Sequence, residues 1–157
     1  GDKIEKIVLN VGVGKLRGRE SFDAKILPEI QSDVAIISGQ KPSSRKAEKS
    51  IAGFKVREGD IVGLQVTLRK SKMEDFAKRL INVVLPRVKD FRGIDEKNID
   101  EHGNFNLGIK DQLVFPELDA AKSKISFGLQ VTFVAKSKKR DEMINFYRSL
   151  GVPLKKL

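Results

Sequence analysis

The stretch Ile61-Val62-Gly63-Leu64-Gln65-Val66-Thr67-Leu68-Arg69 decides how this chain is read. Val62, Leu64, Val66 and Leu68 fall on one side, and Gly63, Gln65, Thr67 and Arg69 on the other. That two-residue period belongs to a strand with one buried face. Immediately afterwards the period changes. Met73, Phe76, Ala77, Leu80, Ile81 and Val84 recur at three and four residues, so a helix follows, opened by the capping-box spacing of Ser71 and Glu74 and stopped by Pro86. A strand feeding an amphipathic helix implies a sheet with helices on its apolar side.

Toward the N-terminus, Lys6 to Val13 alternates again, with Ile7, Leu9, Val11 and Val13 inward and Val8, Asn10 and Gly12 outward. Phe22, Ile26, Ile30, Val34 and Ile37 then show helical spacing, and Pro28 suits the first turn of a helix that Gly39 ends. Gly39 to Ser50 reads as a basic loop. Ile51 to Arg57 reads as a strand joined to Ile61–Arg69 by a short turn at Glu58-Gly59-Asp60. Toward the C-terminus, Phe105 to Lys110 is a short strand and Leu113-Val114-Phe115-Pro116 an apolar segment. Phe127, Leu129, Val131 and Phe133 alternate with Gly128, Gln130 and Thr132. Ser137 opens a last helix with Met143, Phe146, Tyr147 and Leu150 inward, stopped by Gly151 and Pro153. The order has no repeating βαβ unit and predicts an α+β two-layer sandwich, a mainly antiparallel sheet with helices on one face. The 157 residues suit a single domain, 1–157.

Lys and Arg number 31 against 21 Asp and Glu, a net charge of +10, and that surplus points to a polyanionic partner. With no Cys and one His, disulfides, thiolate zinc sites and Cys–His nucleophiles are excluded. Apolar runs such as Val34-Ala35-Ile36-Ile37 fall far short of a bilayer span, so the reading is a soluble, intracellular protein with no membrane partner.

Gly12-Val13-Gly14-Lys15 invites a phosphate-loop reading and fails in detail. A Walker A loop needs Gly where Leu9 stands and Ser or Thr where Leu16 stands, and the dinucleotide fingerprint needs Gly where Arg17 stands. His102 sits in a polar turn without a nucleophile at motif spacing. Asp95, Glu96, Asp100 and Glu101 lack the spacing of a calcium loop. No catalytic residue, metal or cofactor is expected; a phosphate-loop nucleotide-binding enzyme remains an alternative only through the Gly12–Lys15 fragment.

The basic residues Lys41, Arg45, Lys46, Lys49, Lys55 and Arg57 cluster in a stretch poor in acids, a density suited to neutralising phosphates. Lys136, Lys138, Lys139 and Arg140 open a helix, where positive charge opposes the dipole and asks for an external anion. The outward residues Asn10, Gly63, Gln65, Thr67, Arg69, Gly128, Gln130 and Thr132 form either an ordinary solvated face or an RNA-facing platform. Most Phe fall on core faces, which favours recognition of a folded RNA by shape and phosphates over base stacking. A generic basic RNA-binding protein is the second reading.

The segments Ile7-Val8-Leu9-Asn10-Val11-Gly12-Val13-Gly14, Ile37-Ser38-Gly39-Gln40-Lys41-Pro42, Lys49-Ser50-Ile51-Ala52-Gly53-Phe54-Lys55-Val56-Arg57, Val66-Thr67-Leu68-Arg69, Pro86-Arg87-Val88-Lys89-Asp90-Phe91-Arg92-Gly93 and Phe115-Pro116-Glu117 occur in an order that resembles one family. It is ribosomal protein five of the large subunit, the universal 5S rRNA-binding family, in its bacterial form. The resemblance implies a structural, non-enzymatic component of the cytoplasmic ribosome, an organellar ribosome being the other possible setting. It implies 5S rRNA held in the central protuberance by a polar network of Asn10, Gln40 and Thr67. Gly12, Lys41, Arg45, Arg69 and Arg92 join the same rRNA-binding set. The loop with Lys46, Lys49, Ser50, Gly53, Phe54, Lys55 and Arg57 resembles the segment that touches P-site tRNA. Large-subunit rRNA, a small-subunit head protein across an intersubunit bridge, and other 5S rRNA-binding ribosomal proteins complete the implied partners. The family carries a helical extension ahead of its first strand; here such an extension is missing or lies outside this sequence.

Overall fold

Alternation in the sequence becomes burial in the fold. The computed structural model describes residues 3–50 and 56–155. Strand β1 (Ile4–Gly12) buries Ile7, Leu9 and Val11, leaves Asn10 and Gly12 exposed, and runs on to a fully buried Val13. A widened turn at Phe22–Ile26, entered through Ser21 at φ 62°, leads into helix α1 (Leu27–Ser38). Pro28 lies in its first turn, where no N–H is needed. Ile30, Val34 and Ile37 face the core, and the helix stops at Gly39.

Strand β2 (Ser43–Lys46) corrects the sequence reading of Gly39–Ser50 as loop. It pairs antiparallel with β3 (Ile61–Leu68), aligning Ser43 with Gln65 and Arg45 with Gly63, and the register slips between Arg45 and Lys46. All four β2 residues are exposed, so no alternation could mark them as a strand. The turn at Glu58–Asp60 forms as expected, with the Asp60 N–H bonded to the Arg57 carbonyl at 3.0 Å. The chain beside it is Ala47, whose N–H donates to Asp60 O at 2.7 Å. Most of the expected strand Ile51–Arg57 lies outside the described residues.

Helix α2 (Lys70–Arg79) continues through a widened turn at Leu80–Val84 and a tight one at Leu85–Arg87. Met73, Phe76, Ala77, Leu80 and Val84 are buried as predicted. The capping box is not formed. The chain enters from extended Arg69 through Lys70 at φ 55°, no side chain caps the first turn, and Ser71 falls inside the helix. Strands β4 (Phe105–Ile109) and β5 (Leu129–Ala135) and helix α3 (Arg140–Leu150) complete the chain. Helix α3 starts three residues later than expected, because Ser137 accepts the Lys139 N–H at 3.2 Å in a preceding turn. Its buried stripe is Met143, Ile144 and Tyr147, while Leu150 is 36% exposed. The sheet runs β2-β3-β1-β5-β4 and, with its three helices, makes an α+β sandwich with a mainly antiparallel sheet.

Two compact units divide the chain. The first comprises Gly1–Val8, Thr67–Gly108 and Gln130–Leu157. Its centre is aromatic: Phe105, Phe133 and Tyr147 lie 5.3 to 6.1 Å apart between ring centroids. Burial pushes the Tyr147 phenol well above its ordinary pKa, and its hydroxyl donates to the Gly103 carbonyl at 2.7 Å. The second comprises Leu9–Val66 and Ile109–Leu129. Here α1 grips the segment before β5: Glu29 accepts the Ile125 N–H at 2.7 Å and Asp33 the Ser123 hydroxyl at 2.9 Å. The buried Gln112 amide donates to the Ile125 carbonyl at 2.6 Å and accepts the Phe127 N–H at 3.2 Å. Each large side chain fully buried in these cores is worth roughly 1.5–3 kcal/mol.

Candidate nucleic-acid interface

The second unit gathers most of the sequence-predicted residues along β1, β2 and β3. Pleating turns Asn10 and Gly12 away from the core, and the Asn10 carboxamide accepts from Gln65 Nε2 at 3.2 Å. The space above Gly12 is open, because a Cβ built there meets no atom within 4 Å. Ser43 ties the edge by donating to the Gln65 carbonyl at 3.1 Å. Gln40 follows the α1 stop. Its N–H reaches Ser38 Oγ at 3.2 Å and its carbonyl accepts the same hydroxyl at 2.9 Å, which fixes the backbone just before Lys41.

Lys41, Arg45, Lys46, Lys49 and Arg57 are exposed, and none forms an ion pair among the described residues. Lys15 and Lys49 line one recess together with Gly12, Gly14, Glu48 and the apolar Val56 and Val62, so the Gly12–Lys15 fragment adjoins the basic stretch. Ser50 Oγ accepts the Glu58 N–H at 3.2 Å, and Asp60 accepts the Arg57 N–H at 2.8 Å. Gly53, Phe54 and Lys55 lie outside the described residues. In the first unit, Thr67 lies on the polar side of β3, and Arg69 and Arg92 are exposed.

Two contributors escaped the sequence reading. Gln65, seen only as an outward residue, is the hydrogen-bond partner of Asn10. Arg17 is the second. Its guanidinium bonds the Ile61 carbonyl at 3.0 Å, lies 3.3 Å from Asp60 and 3.6 Å from Asp23, and sits 4.7 Å over the Phe22 ring. It fixes the turn that starts β3, and nothing local in the sequence announces it.

The remaining charged motifs are occupied internally. Asp100 accepts the N–H groups of His102 and Asn104, and Asp95 that of Lys97. The Lys136–Arg140 cluster asks less for an anion than its sequence suggested, because Asp141 and Glu142 stand in the first turn of α3 and Arg140 donates to the carbonyls of Ile99 and Glu96. Beside Lys3 and Ser137, the Glu142 carboxyl is held below its ordinary pKa. Most aromatic rings fall in the core, as the sequence predicts: six Phe and Tyr147 are buried, while Phe91 and Phe146 are half-buried.

A polar sheet face edged by uncommitted cations defines a basic α+β protein shaped to meet a polyanion. Family models match along the chain, ribosomal protein L5 over residues 3–57 and the C-terminus of the same ribosomal protein family over residues 61–154. The large ribosomal subunit protein uL5 of Fusobacterium nucleatum is 46% identical over 154 residues, covering 98% of this chain and 82% of that protein. Those of Clostridium tetani and Geotalea daltonii are each 47% identical, over 96% and 98% of this chain and 82% and 83% of theirs. The chain belongs to the ribosomal protein L5 family, in its bacterial form. It is a structural ribosomal protein with no enzymatic role, and in its bacterial relatives the ribosome is cytoplasmic.

Proposed function

We propose that this ribosomal protein serves in the large subunit by binding 5S rRNA and helping to seat it in the central protuberance. The observation that carries the reading is the β1–β3 surface of the second unit, where the Asn10–Gln65 pair and open Gly12 lie beside uncommitted Lys41 and Arg45. Polar side chains there read the RNA and the cations hold its phosphates. Asn10, Gly12, Gln40, Lys41, Arg45, Thr67 and Arg69 form the 5S set, and Arg92 meets rRNA as well. Lys46, Lys49, Ser50, Gly53, Phe54, Lys55 and Arg57 meet P-site tRNA. A small-subunit head protein, large-subunit rRNA and other 5S rRNA-binding proteins are further partners.

The test compares 5S rRNA with an unrelated structured RNA across a salt series. Specific recognition predicts a 5S preference that persists at high salt, lost in the triple variant Asn10→Ala/Gln40→Ala/Thr67→Ala by about 1–3 kcal/mol for each hydrogen bond left unpaired. Equal affinities falling together with salt would reduce the reading to general electrostatics.

A further inference from the structure

Past the last rung of the β2–β3 ladder, Lys46 opposite Ile61, the chain narrows to a neck. Two backbone hydrogen bonds join its sides, the Ala47 N–H to the Asp60 carbonyl at 2.7 Å and the Gly59 N–H to the Ala47 carbonyl at 2.9 Å. The Asp60 carboxylate adds a third by accepting the Arg57 N–H at 2.8 Å. The exposed cations Lys46, Lys49 and Arg57 stand on this neck. It leaves the sheet at the register slip between Arg45 and Lys46, an irregularity that bends and twists a strand. Two chain segments held by so few bonds, with no third strand beside them, are marginally stable by themselves. Their aim depends on what grips them from outside.

Arg17 supplies that grip. It follows the tight turn Gly14–Leu16 beyond β1, where the backbone bonds are local: Leu16 N–H to the Val13 carbonyl and Arg17 N–H to the Gly14 carbonyl. The polar link to the neck is therefore made by a side chain. Each guanidinium nitrogen has its own oxygen. Nη1 donates to the Ile61 carbonyl at 3.0 Å, Nε lies 3.3 Å from the Asp60 carboxylate, and Nη2 lies 3.6 Å from that of Asp23. Ile61 and Asp60 are consecutive residues at the root of the neck, so one planar group spans both. A fork of fixed donors can do this, whereas a lysine ammonium is a single point of charge. Only 12% of the Arg17 side chain is exposed and two acids share its charge, so it is not presented to a polyanion as Lys46 and Lys49 are.

We propose that Arg17 is a positioning residue for RNA contact: its guanidinium bolts the neck to the turn after β1 and so holds Lys46, Lys49 and Arg57 in the arrangement that meets tRNA phosphates. The inference rests on reading those residues as the tRNA contact, and it concerns a side chain that acts through them without touching RNA.

The test uses the full chain, labelled deacylated tRNA and 5S rRNA, and amide hydrogen exchange. R17M keeps an apolar stem over Phe22 and loses the donors; R17K keeps the charge and loses the fork. Both are expected to bind tRNA about fivefold to tenfold more weakly, because binding must then order the neck, and to bind 5S rRNA within about twofold of the parent. In R17M the Ala47 and Gly59 amides should exchange at least about tenfold faster while those of β1 and β3 are unchanged. D60N, which still offers an acceptor to the Arg57 N–H, should move both readouts the same way by a smaller factor. In the K46A/K49A background R17M should cost no further tRNA affinity. Parent-like tRNA binding by R17K overturns the proposal, since charge alone would then suffice. A full additional loss on adding R17M to K46A/K49A overturns it in favour of direct contact by Arg17, and faster exchange of every amide alike overturns it in favour of a general loss of stability. Unchanged tRNA affinity in K46A/K49A overturns the tRNA reading; faster Ala47 and Gly59 exchange in R17M then still supports the bolt, and unchanged exchange overturns both.

Discussion

Replacing Gly12 by Val separates folding from recognition, because the residue closes β1 on an exposed face with nothing within 4 Å of where a Cβ would stand. Its φ is not among the positive ones, so a side chain meets no backbone strain. A β-branched residue in a strand restricts the unfolded chain and suits the pleat, so Gly12→Val should raise stability by up to about 1 kcal/mol. The same side chain occupies the surface next to Asn10 where RNA is proposed to approach. Losing one backbone-to-RNA hydrogen bond there, at about 1–1.5 kcal/mol, weakens 5S binding about tenfold. Gly63→Val is the contrast, since its Cβ lies 3.2 Å from the Val11 carbonyl oxygen, and it should cost about 1–3 kcal/mol of stability. Urea denaturation measures the first quantity and anisotropy with labelled 5S rRNA the second. A stable Gly12→Val protein that binds 5S rRNA as tightly as the parent would refute the placement of RNA on this face.

Burial raises the pKa of Asp33, the nearby Glu29 charge adds to the rise, and the Ser123 hydroxyl opposes it. A carboxyl whose folded pKa exceeds its unfolded value costs stability at neutral pH and returns it as pH falls through the folded pKa toward 3.8. Asp33→Asn should therefore flatten the stability difference between about pH 7 and about pH 4.5, read from urea midpoints; an unaltered pH dependence would refute it. Gly103→Ala places a Cβ 2.6 Å from Met143 Cγ at φ 81°, and together strain and overpacking should cost about 2–5 kcal/mol by the same assay while a refolded sample keeps its 5S affinity.

What was legible in the sequence was what the core imposes. Val62 to Leu68, Ile7 to Val13 and Phe127 to Phe133 alternate because one face of each is buried, and that face left the same trace in the residues. Asn10, Gly12 and Thr67 could be set on the polar side by elimination, and the resemblance supplied Gln40, which no pattern marks. Ser43–Lys46 left no trace because both its faces meet solvent. The Ser71 capping spacing misled for a related reason: the helix entrance depends on Lys70 in a left-handed conformation, which local spacing does not encode. Arg17 and Gln65 were invisible as partners because Arg17 and Ile61 are 44 residues apart and Gln65 and Asn10 are 55 apart.

The same exposure that hid β2 explains its composition. An edge strand offers unpaired backbone groups to any other strand, and free proteins guard such edges with charge. Arg45 and Lys46 sit on β2 where its register with β3 slips, so they both interrupt the edge and charge it. Uncompensated by acids, these side chains disfavour a second protein strand and favour a phosphate backbone. Guarding the free protein and contacting RNA thus demand the same residues on the same strand. Neutral substitutions at Arg45 and Lys46 should accordingly increase self-association of the free protein as they weaken RNA binding, and light scattering set beside anisotropy would show whether the two effects move together.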